Sequence, residues 1–254
     1  SQDFNNAHGT LVASGNASLQ TGKLNNSAGL IQTQGTLTLN TAELSNPGGT
    51  LAAKGALAAT TALLSNTAGG KIIGQSSVSL QSTGLDNQGG QIQALGAIQV
   101  SVDDGRGTGS INNSASLIRG ASSVTLASAN IINSNTSGTD QGIEGQDLTL
   151  TAPRIDNDHG ALRADKNITL TSSTRINNSA GLMSAGQSLT LQDIQAVKTL
   201  AVTNTAGTAI AGQRTAVTAA DLSGDGKLLS QGDLSLNLSS DFQNSGEVIA
   251  NRDL

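Results

Sequence analysis

One short pattern recurs along this chain at intervals of about 20 residues. Each copy starts with an aliphatic residue or Phe, called the anchor here, which is followed two places later by Asn and usually by Gly soon afterwards. The twelve anchors are Phe4, Leu24, Leu44, Leu64, Leu85, Ile111, Ile131, Ile155, Ile176, Val202, Leu222 and Phe242. Eleven of the anchors are followed by this Asn, and Gly224 replaces it in the other copy. Such a regular period is the signature of a solenoid, in which every copy forms one coil.

The apolar positions inside each copy predict strands. They fall 0, 7, 13 and 15 places after the anchor, as at Leu24, Ile31, Leu37 and Leu39. This spacing fits no helical face, whereas alternating segments such as LTL at 37–39 are typical of strands. The Asn, Gly, Ser and Asp residues between these segments favour turns. The sequence therefore predicts an all-β fold, a parallel β-helix of about twelve coils with three short strands each.

The recurring Asn predicts a specific interaction between coils. One coil cannot bury enough apolar surface to offset the entropy of ordering its residues, so the coils must stack and share their strands. In such a stack the Asn side chains lie about 4.8 Å apart and can donate and accept amide hydrogen bonds along the axis. A role in turn geometry alone is the alternative, but Gly would serve a turn equally well and occupies this position only once. We expect an Asn ladder.

A leucine-rich repeat is the alternative solenoid, because its period of about 20 to 29 residues overlaps this one. In that repeat Asn follows the strand leucine by about three places. Here Asn46 follows Leu39 by seven places, and only the segment LAAKGALAATTALL at 51–64 has an ambiguous helical character. The spacing favours the β-helix.

The composition argues against several classes of partner. The net charge is −5 from 31 charged side chains (13 Lys and Arg plus 18 Asp and Glu), and no basic stripe is present that could bind nucleic acid or an anionic membrane. No apolar run reaches the roughly 18 residues of a membrane span, and the start of the sequence does not resemble a signal peptide. The chain has no Cys for disulfides or thiolate metal sites. We expect no nucleic-acid partner and no stable membrane insertion.

The two histidines are the first candidates for chemistry. His8 and His159 each lie four places after an anchor, where other copies have Ala or Gly, which predicts solvated turn residues. The segment DNDHG at 156–160 suggests a metal site, but Asn157 and Gly160 belong to the repeat. Asp156, Asp158 and His159 then lack a fourth ligand. We predict no metal site there.

The carboxylates give no better candidate for catalysis. The close pairs Asp103–Asp104 and Asp221–Asp225 lie in turn-like contexts, and the chain has no Trp or Tyr to stack on a sugar ring. The segment SGDGK at 223–227 lacks the spacing of a phosphate-binding loop and is interpreted as a turn. We therefore predict no catalytic, no cofactor-binding and no metal-binding residue, no cofactor and no enzymatic activity.

Three copies are longer than the basic period. Their extra residues fall in 101–110, 135–142 and 192–201. Insertions in a solenoid must project from its surface, where recognition is usually located. Loops that are tolerated without any function are the alternative interpretation.

The repeats resemble a known family. The copies LNNSAGLIQTQGTLTLNTAE, IDNDHGALRADKNITLTSSTR and INNSAGLMSAGQSLTLQD are similar to the haemagglutinin repeats of filamentous haemagglutinin and of contact-dependent growth inhibition exoproteins. This resemblance implies a right-handed β-helical filament that an outer-membrane two-partner secretion transporter exports to a Gram-negative surface. Since nothing in the sequence reads as the family's secretion domain or as a toxin, we expect residues 1–254 to be one β-helical repeat domain, an internal fragment of a larger exoprotein.

The function expected from this resemblance is structural. The chain is predicted to be a rigid segment of a secreted filamentous adhesin that presents adhesive or toxic regions to host or neighbouring cells, at the bacterial cell surface in association with the outer membrane. The stalk of a contact-dependent growth inhibition protein is one alternative. A polysaccharide-active β-helix enzyme is the alternative from another class, and the lack of aromatic residues and of a carboxylate cluster argues against it.

Overall fold

The computed structural model of the chain describes residues 2–195, 197–240 and 242–253. Every regular element in these ranges is a β-strand, and there are 30 of them. Strands of consecutive copies pair in parallel, as Leu24 pairs with Leu44 and Ile155 with Ile176. The strands stack as a solenoid of about twelve turns of about 20 residues, which confirms the predicted parallel β-helix.

Three parallel sheets run along the solenoid. The anchor sheet contains the anchors in the strands Phe4–Asn5, Leu63–Ser65, Gly84–Asp86, Ser110–Asn112, Asn130–Ile132, Arg154–Asp156, Arg175–Asn177, Ala201–Thr203, Asp221–Gly224 and Phe242–Asn244. The second sheet contains the strands Thr10–Ala13, Leu30–Thr33, Thr50–Ala53, Lys71–Gly74, Gln91–Ala94, Leu182–Ala185, Thr208–Ala211, Lys227–Ser230 and Val248–Ala250. The third sheet contains the strands Leu57–Thr60, Val78–Ser82, Ile98–Val102, Ser188–Asp193, Arg214–Ala219 and Asp233–Leu238.

Five longer strands bend around a corner and belong to two sheets each. Ala17–Asn25 and Leu37–Ser45 join the third sheet to the anchor sheet, and Leu117–Ala127, Gly142–Thr151 and Ala161–Ser172 join the second sheet to the third.

The aliphatic residues stack on their own copies inside the solenoid. Leu24, Ile31, Leu37 and Leu39 have at most 1% of their surface exposed, and most of the equivalent residues of the other interior coils are buried with them in one cluster. The predicted apolar positions are therefore the core. The ambiguous segment at 51–64 also forms strands, so the helical interpretation and the leucine-rich repeat are wrong for this region.

The Asn side chains form the predicted ladder. In each step the amide Nδ2 atom donates to the Oδ1 atom of the Asn in the next coil, at 2.7 to 2.9 Å. The ladder contains Asn6, Asn26, Asn46, Asn66, Asn87, Asn113, Asn133, Asn157, Asn178 and Asn204. The same amide group also donates to a backbone carbonyl of the next coil, as from Asn26 to Thr50 at 3.2 Å. Both donor hydrogens are thus used between coils.

The ladder is shorter than the recurrence of Asn suggests. Its last member, Asn204, donates to the carbonyl of Lys227 at 3.0 Å, because the next coil has Gly224 in place of Asn. The Nδ2 atom of Asn244 is buried and has no hydrogen-bond partner among the described residues. The ladder interpretation is therefore confirmed for ten of the eleven Asn residues and is wrong for Asn244.

The turn after each ladder Asn has a fixed conformation. The residue two places after the Asn has a positive φ angle in most coils, as at Ala28 with 51° and Ala180 with 49°. The next residue is usually Gly, and at Gly29 a β-carbon would lie 2.2 Å from the carbonyl oxygen of Asn6. The turns of neighbouring coils approach so closely that most of them admit no side chain at this position. This contact explains the spacing N-x-x-G in the sequence.

Candidate functional site

The three insertions lie at two different corners of the solenoid. The first insertion forms the loop 103–109, and the described residues of the third insertion, 194–195 and 197–200, also lie in a loop. Both follow strands of the third sheet, Ile98–Val102 and Ser188–Asp193. We call the corner between the third sheet and the anchor sheet the loop corner. The second insertion lies in the connection 133–141 between the anchor sheet and the second sheet, at the corner that carries the Asn ladder. We call this the ladder corner.

The two loops at the loop corner enclose a trough on the outside of the solenoid. Its floor is made by the three coils between the loops, through residues 127–129, 151–153 and 171–173. Asp103 and Asp104 line one wall, and Ile194 and Gln195 line the other. The enclosed volume is about 510 Å³. The trough thus brings two of the three insertions together around one concave surface.

The first wall is held by a carboxylate. Asp104 accepts hydrogen bonds from the backbone N–H groups of Arg106 and Thr108, at 2.9 and 3.1 Å, and from the hydroxyl of Thr108. The Thr108 hydroxyl and these N–H groups stabilise the ionised form, so the pKa of Asp104 lies well below its ordinary value. Asp103 similarly accepts from the N–H of Gly105 at 2.8 Å. The loop is therefore ordered by its own aspartates.

The second wall is built in the same way. Asp193 accepts hydrogen bonds from the N–H groups of Gln195 at 2.7 Å, of Leu200 at 2.6 Å and of Thr199. Desolvation raises the pKa of Asp193, but these N–H groups outweigh it and the pKa is lowered. The hydroxyl of Thr199 also donates to the carbonyl of Ser173 at 2.8 Å, which joins the loop to the floor of the trough.

The second insertion is packed down instead of projecting. Arg119, Glu144 and Arg163 lie in register on the outer face of the second sheet, and Glu144 accepts from Arg119 at 2.7 Å and from Arg163 at 3.0 Å. Arg119 also binds Asp140 of the insertion at 3.0 Å, and Arg163 donates to the carbonyl of Gln141 at 2.9 Å. These contacts hold the insertion against the sheet.

The second insertion covers part of the outer face of the second sheet, so the strand beneath it is buried on both faces. Leu117 and Ile118 are adjacent in sequence and point to opposite faces of the sheet, yet each has at most 1% of its surface exposed. Leu117 is not part of the main core cluster, so it is buried from the outside. The second insertion therefore covers the strand beneath it, whereas the described residues of the first and third insertions line an open trough.

The residues suggested by the sequence do not assemble into a chemical site. His8 and His159 have positive φ angles of 55° and 50° and occupy the ladder-corner turn, as predicted. His159 contacts the carboxylate of Asp158 at 3.1 Å, and Asp156 accepts from the side chain of Asn177 at 2.8 Å. In the described ranges no group of three or more His, Asp or Glu residues is placed to hold a metal ion.

Three of the four carboxylates in the two close pairs, Asp103, Asp104 and Asp225, accept backbone N–H groups. Asp225 accepts from the N–H of Ala206 at 2.7 Å and lies in the bend 225–226, between the strands Asp221–Gly224 and Lys227–Ser230. SGDGK is therefore a turn between strands, as interpreted. Asp103 and Asp104 lie on the trough wall, and Asp104 is engaged by the loop itself.

One pair of charged residues was missed by the sequence interpretation. Arg154 and Arg175 lie in register in adjacent coils, where the floor of the trough turns into the anchor sheet. Both are exposed, and neither forms an ion pair within the described residues. The signal was present, because each stands one place before an anchor in consecutive copies. The pair is found only when residues at the same distance from the anchor are compared between neighbouring copies.

This pair is an exception among the charges in register. The other four in-register pairs of charged strand residues in the described ranges combine opposite charges: Lys23 with Glu43, Arg119 with Glu144, Glu144 with Arg163, and Arg214 with Asp233. Like charges directly opposite each other in a sheet are destabilising. Arg154 and Arg175 therefore lack the compensation found elsewhere in the fold.

The coil geometry agrees with a comparison against protein families. Residues 1–60 match the haemagglutinin repeat. This match confirms the resemblance over the first coils, which contain the anchors Phe4, Leu24 and Leu44. Searches of the curated proteins and of the solved structures each gave no match.

The contacts between coils in the first 60 residues recur further along the chain. Leu64 stacks on Leu44 in the same register as Leu44 on Leu24, and the Asn ladder passes from Asn46 to Asn66 at 2.8 Å. Coils beyond residue 60 thus use the same contacts as the coils within the match. No helix of the described ranges is long and apolar enough to cross a membrane.

Proposed function

We propose that this β-helix is a non-enzymatic, structural segment of a larger secreted bacterial adhesin. It acts as a rigid rod that presents adhesive or toxic regions to target cells. The haemagglutinin repeat in residues 1–60 supports this role, because proteins with that repeat are secreted surface adhesins. The alternative, the stalk of a contact-dependent growth inhibition protein, would have the same mechanical role, with a toxin at its tip.

The observation that carries the proposal is the continuous stacking of coils. Each interior coil pairs its strands with both neighbours, and ten coils join the Asn ladder, so bending the rod at any interior coil would break hydrogen bonds in all three sheets. Sheet edges are exposed only at the two ends of such a stack. A β-helix of this kind suits a spacer.

The proposal includes the route of export and the location. We infer that an outer-membrane two-partner secretion transporter carries the chain to the cell surface. Coils folding outside the cell find a finished strand edge as a template, which favours a stack that grows coil by coil.

The carboxylates of Asp104 and Asp225 accept backbone N–H groups, which supports a structural role for them and not acid–base catalysis.

An export experiment tests this role. The segment, followed by an epitope tag, would be fused behind the secretion domain of a haemagglutinin-repeat exoprotein and expressed in a Gram-negative host with and without its transporter. We expect surface display only with the transporter, in a protease-resistant form. The Leu126→Pro variant breaks strand pairing in a fully buried position and should be displayed in a protease-sensitive form. Display without the transporter, or retention in the periplasm with it, would contradict the proposal.

A further inference from the structure

The trough and the unpaired arginines lie side by side at the loop corner. We propose that the trough binds a single glycan chain that carries isolated carboxylates, with one carboxylate bound between Arg154 and Arg175. This inference rests on the proposed adhesin role and specifies the ligand class of this segment. The trough supplies a preformed channel for the chain, and the arginine pair supplies the only uncompensated positive charges in register within the described strands.

The width of the trough fits one guest chain. The two loops leave the stack four coils apart, because three coils form the floor between them. At about 4.8 Å per coil, the wall backbones are separated by roughly 19 Å. Layers of packed chains lie about 10 Å apart, so one guest layer between two walls requires roughly 20 Å. A second chain would not fit beside the first.

The floor suits a hydroxyl-rich ligand better than a peptide. It consists of Ala, Ser, Thr and Pro, and the hydroxyls of Thr151 and Ser173 form no hydrogen bond with another described residue. Small hydroxyl side chains can donate to and accept from sugar hydroxyls. An extended peptide is usually bound by adding a strand to an exposed sheet edge, and the trough exposes no such edge because its floor strands pair on both sides.

The arginine pair explains the requirement for a carboxylate. Arg154 and Arg175 are exposed and lie in neighbouring parallel strands, about 4.8 Å apart at the backbone. Two guanidinium groups at this spacing can both donate to one carboxylate, and Arg is well suited to such bidentate recognition. A bound carboxylate would supply the compensation that every other in-register charge pair obtains from the protein.

The walls limit how much charge the ligand carries. Asp103 and Asp104 face the trough, and the chain has a net charge of −5. A densely sulfated chain would place several anions against these carboxylates, which costs free energy. A chain in which neutral sugars alternate with uronic acids places its neutral sugars between the walls and one carboxylate at the arginines. The expected ligand is therefore a glycan whose negative charges are sparse.

Calorimetry with defined octasaccharides tests the inference on the purified chain. The probes are a hyaluronan octasaccharide with alternating uronic acid, a neutral N-acetylglucosamine oligomer and a heparin octasaccharide, in about 0.1 M salt to limit long-range attraction. We expect the hyaluronan probe to bind most tightly. The double variant Arg154→Ala, Arg175→Ala should weaken its binding tenfold or more, and Ala129→Trp, which fills the trough, should have a similar effect. Arg214→Ala, an exposed arginine away from the trough, should leave the affinity unchanged.

Three results would overturn the inference. They are the absence of hyaluronan binding, binding that survives both the arginine and the Ala129→Trp variants, and tighter binding of heparin or of the neutral N-acetylglucosamine oligomer. Equal unfolding midpoints of the variants and the parent chain establish that a loss of binding is local. Because the assay uses purified protein, its outcome is independent of whether the export experiment succeeds.

Discussion

The ladder corner and the loop corner of this solenoid follow opposite rules. At the ladder corner ten coils repeat the same buried Asn and usually the same turn, with amide hydrogen bonds of 2.7 to 2.9 Å between coils. At the loop corner the chain varies in length, and two coils project loops that hold themselves through Asp104 and Asp193. The ladder corner fixes the distance between coils, whereas the chain at the loop corner can vary in length without changing that distance.

The second insertion sharpens this contrast. It lies at the ladder corner but begins only after Asn133, which keeps both of its ladder contacts, from Asn113 at 2.9 Å and to Asn157 at 2.7 Å. The extra residues are then fastened to the outer face of the second sheet by Arg119 and Arg163. Extra chain at the ladder corner is thus packed away, whereas extra chain at the loop corner encloses an open trough.

The largest expected effect is at the ladder corner. In the variant Asn113→Ala, the side chains of Asn87 and Asn133 lose a partner, and so do the hydroxyl of Ser116 and the carbonyl of Gly142. Unsatisfied buried groups cost about 1 to 3 kcal/mol each, so we expect a loss of roughly 3 to 5 kcal/mol in the free energy of unfolding, measured by chemical denaturation. The matched control is Asn40→Ala, an exposed Asn with no side-chain hydrogen bond in the described ranges, which should change stability by less than about 0.5 kcal/mol. Equal midpoints for the two variants would reduce the ladder Asn to a turn residue.

An intermediate effect is expected where the second insertion is fastened. Glu144 has 19% of its side chain exposed and binds two arginines, so Glu144→Gln should lower the free energy of unfolding by about 1 to 2 kcal/mol and release the insertion. Faster amide exchange in residues 137–141 would report that release. The control Glu43→Gln removes a more exposed pair with Lys23, with 42% and 65% exposed side chains, and should cost less than about 0.5 kcal/mol. An insertion that stays protected in Glu144→Gln would mean that packing on Leu117 is sufficient to hold it.

The smallest effect is expected from acid at the loop corner. The pKa of Asp104 is lowered in the folded chain, so its contribution to loop order is present above the ordinary aspartate pKa and is lost as the pH falls through the lowered value. At about pH 4, where half of an ordinary aspartate is protonated, Asp104 should remain ionised and loop 103–109 should remain ordered. The carboxyl carbon shift of Asp104 in an NMR titration checks this. Titration at the ordinary value would show that the loop does not depend on this carboxylate, while the amides of the ladder corner should not titrate at all.

Much of the ladder corner could be predicted from the sequence because the stack repeats every contact. Once Asn26 and Asn46 occupy the same offset in adjacent coils, their side chains must meet. The failure at Asn244 has a local cause, since Gly224 has a φ of 128° and a β-carbon there would lie 2.6 Å from the carbonyl carbon of Asn204. The substitution therefore removes the amide and also changes the turn.

The loop corner could be predicted only in part. The sequence located the insertions to within a few residues, although Ser101 and Val102, and likewise Gln192 and Asp193, belong to strands. That the first and third loops share a corner follows from their offset after the third strand, but the enclosed volume depends on loop conformations. Those conformations are set by carboxylate to N–H contacts such as Asp193 with Leu200, which no periodic pattern encodes.

The most direct test of the account is the exchange of Asn side-chain amide protons, followed by NMR. The ladder amides from Asn26 through Asn178 donate both hydrogens between coils and are buried, so these protons should exchange slowly, and at similar rates in the interior coils. The exposed amide of Asn40 should exchange rapidly, and that of Asn244, which lies outside the ladder, should exchange faster than those of the interior coils. Slow exchange of these interior amides as one group is the predicted result. Exchange of the interior Asn amides at the rate of Asn40 would contradict a solenoid held together by an Asn ladder.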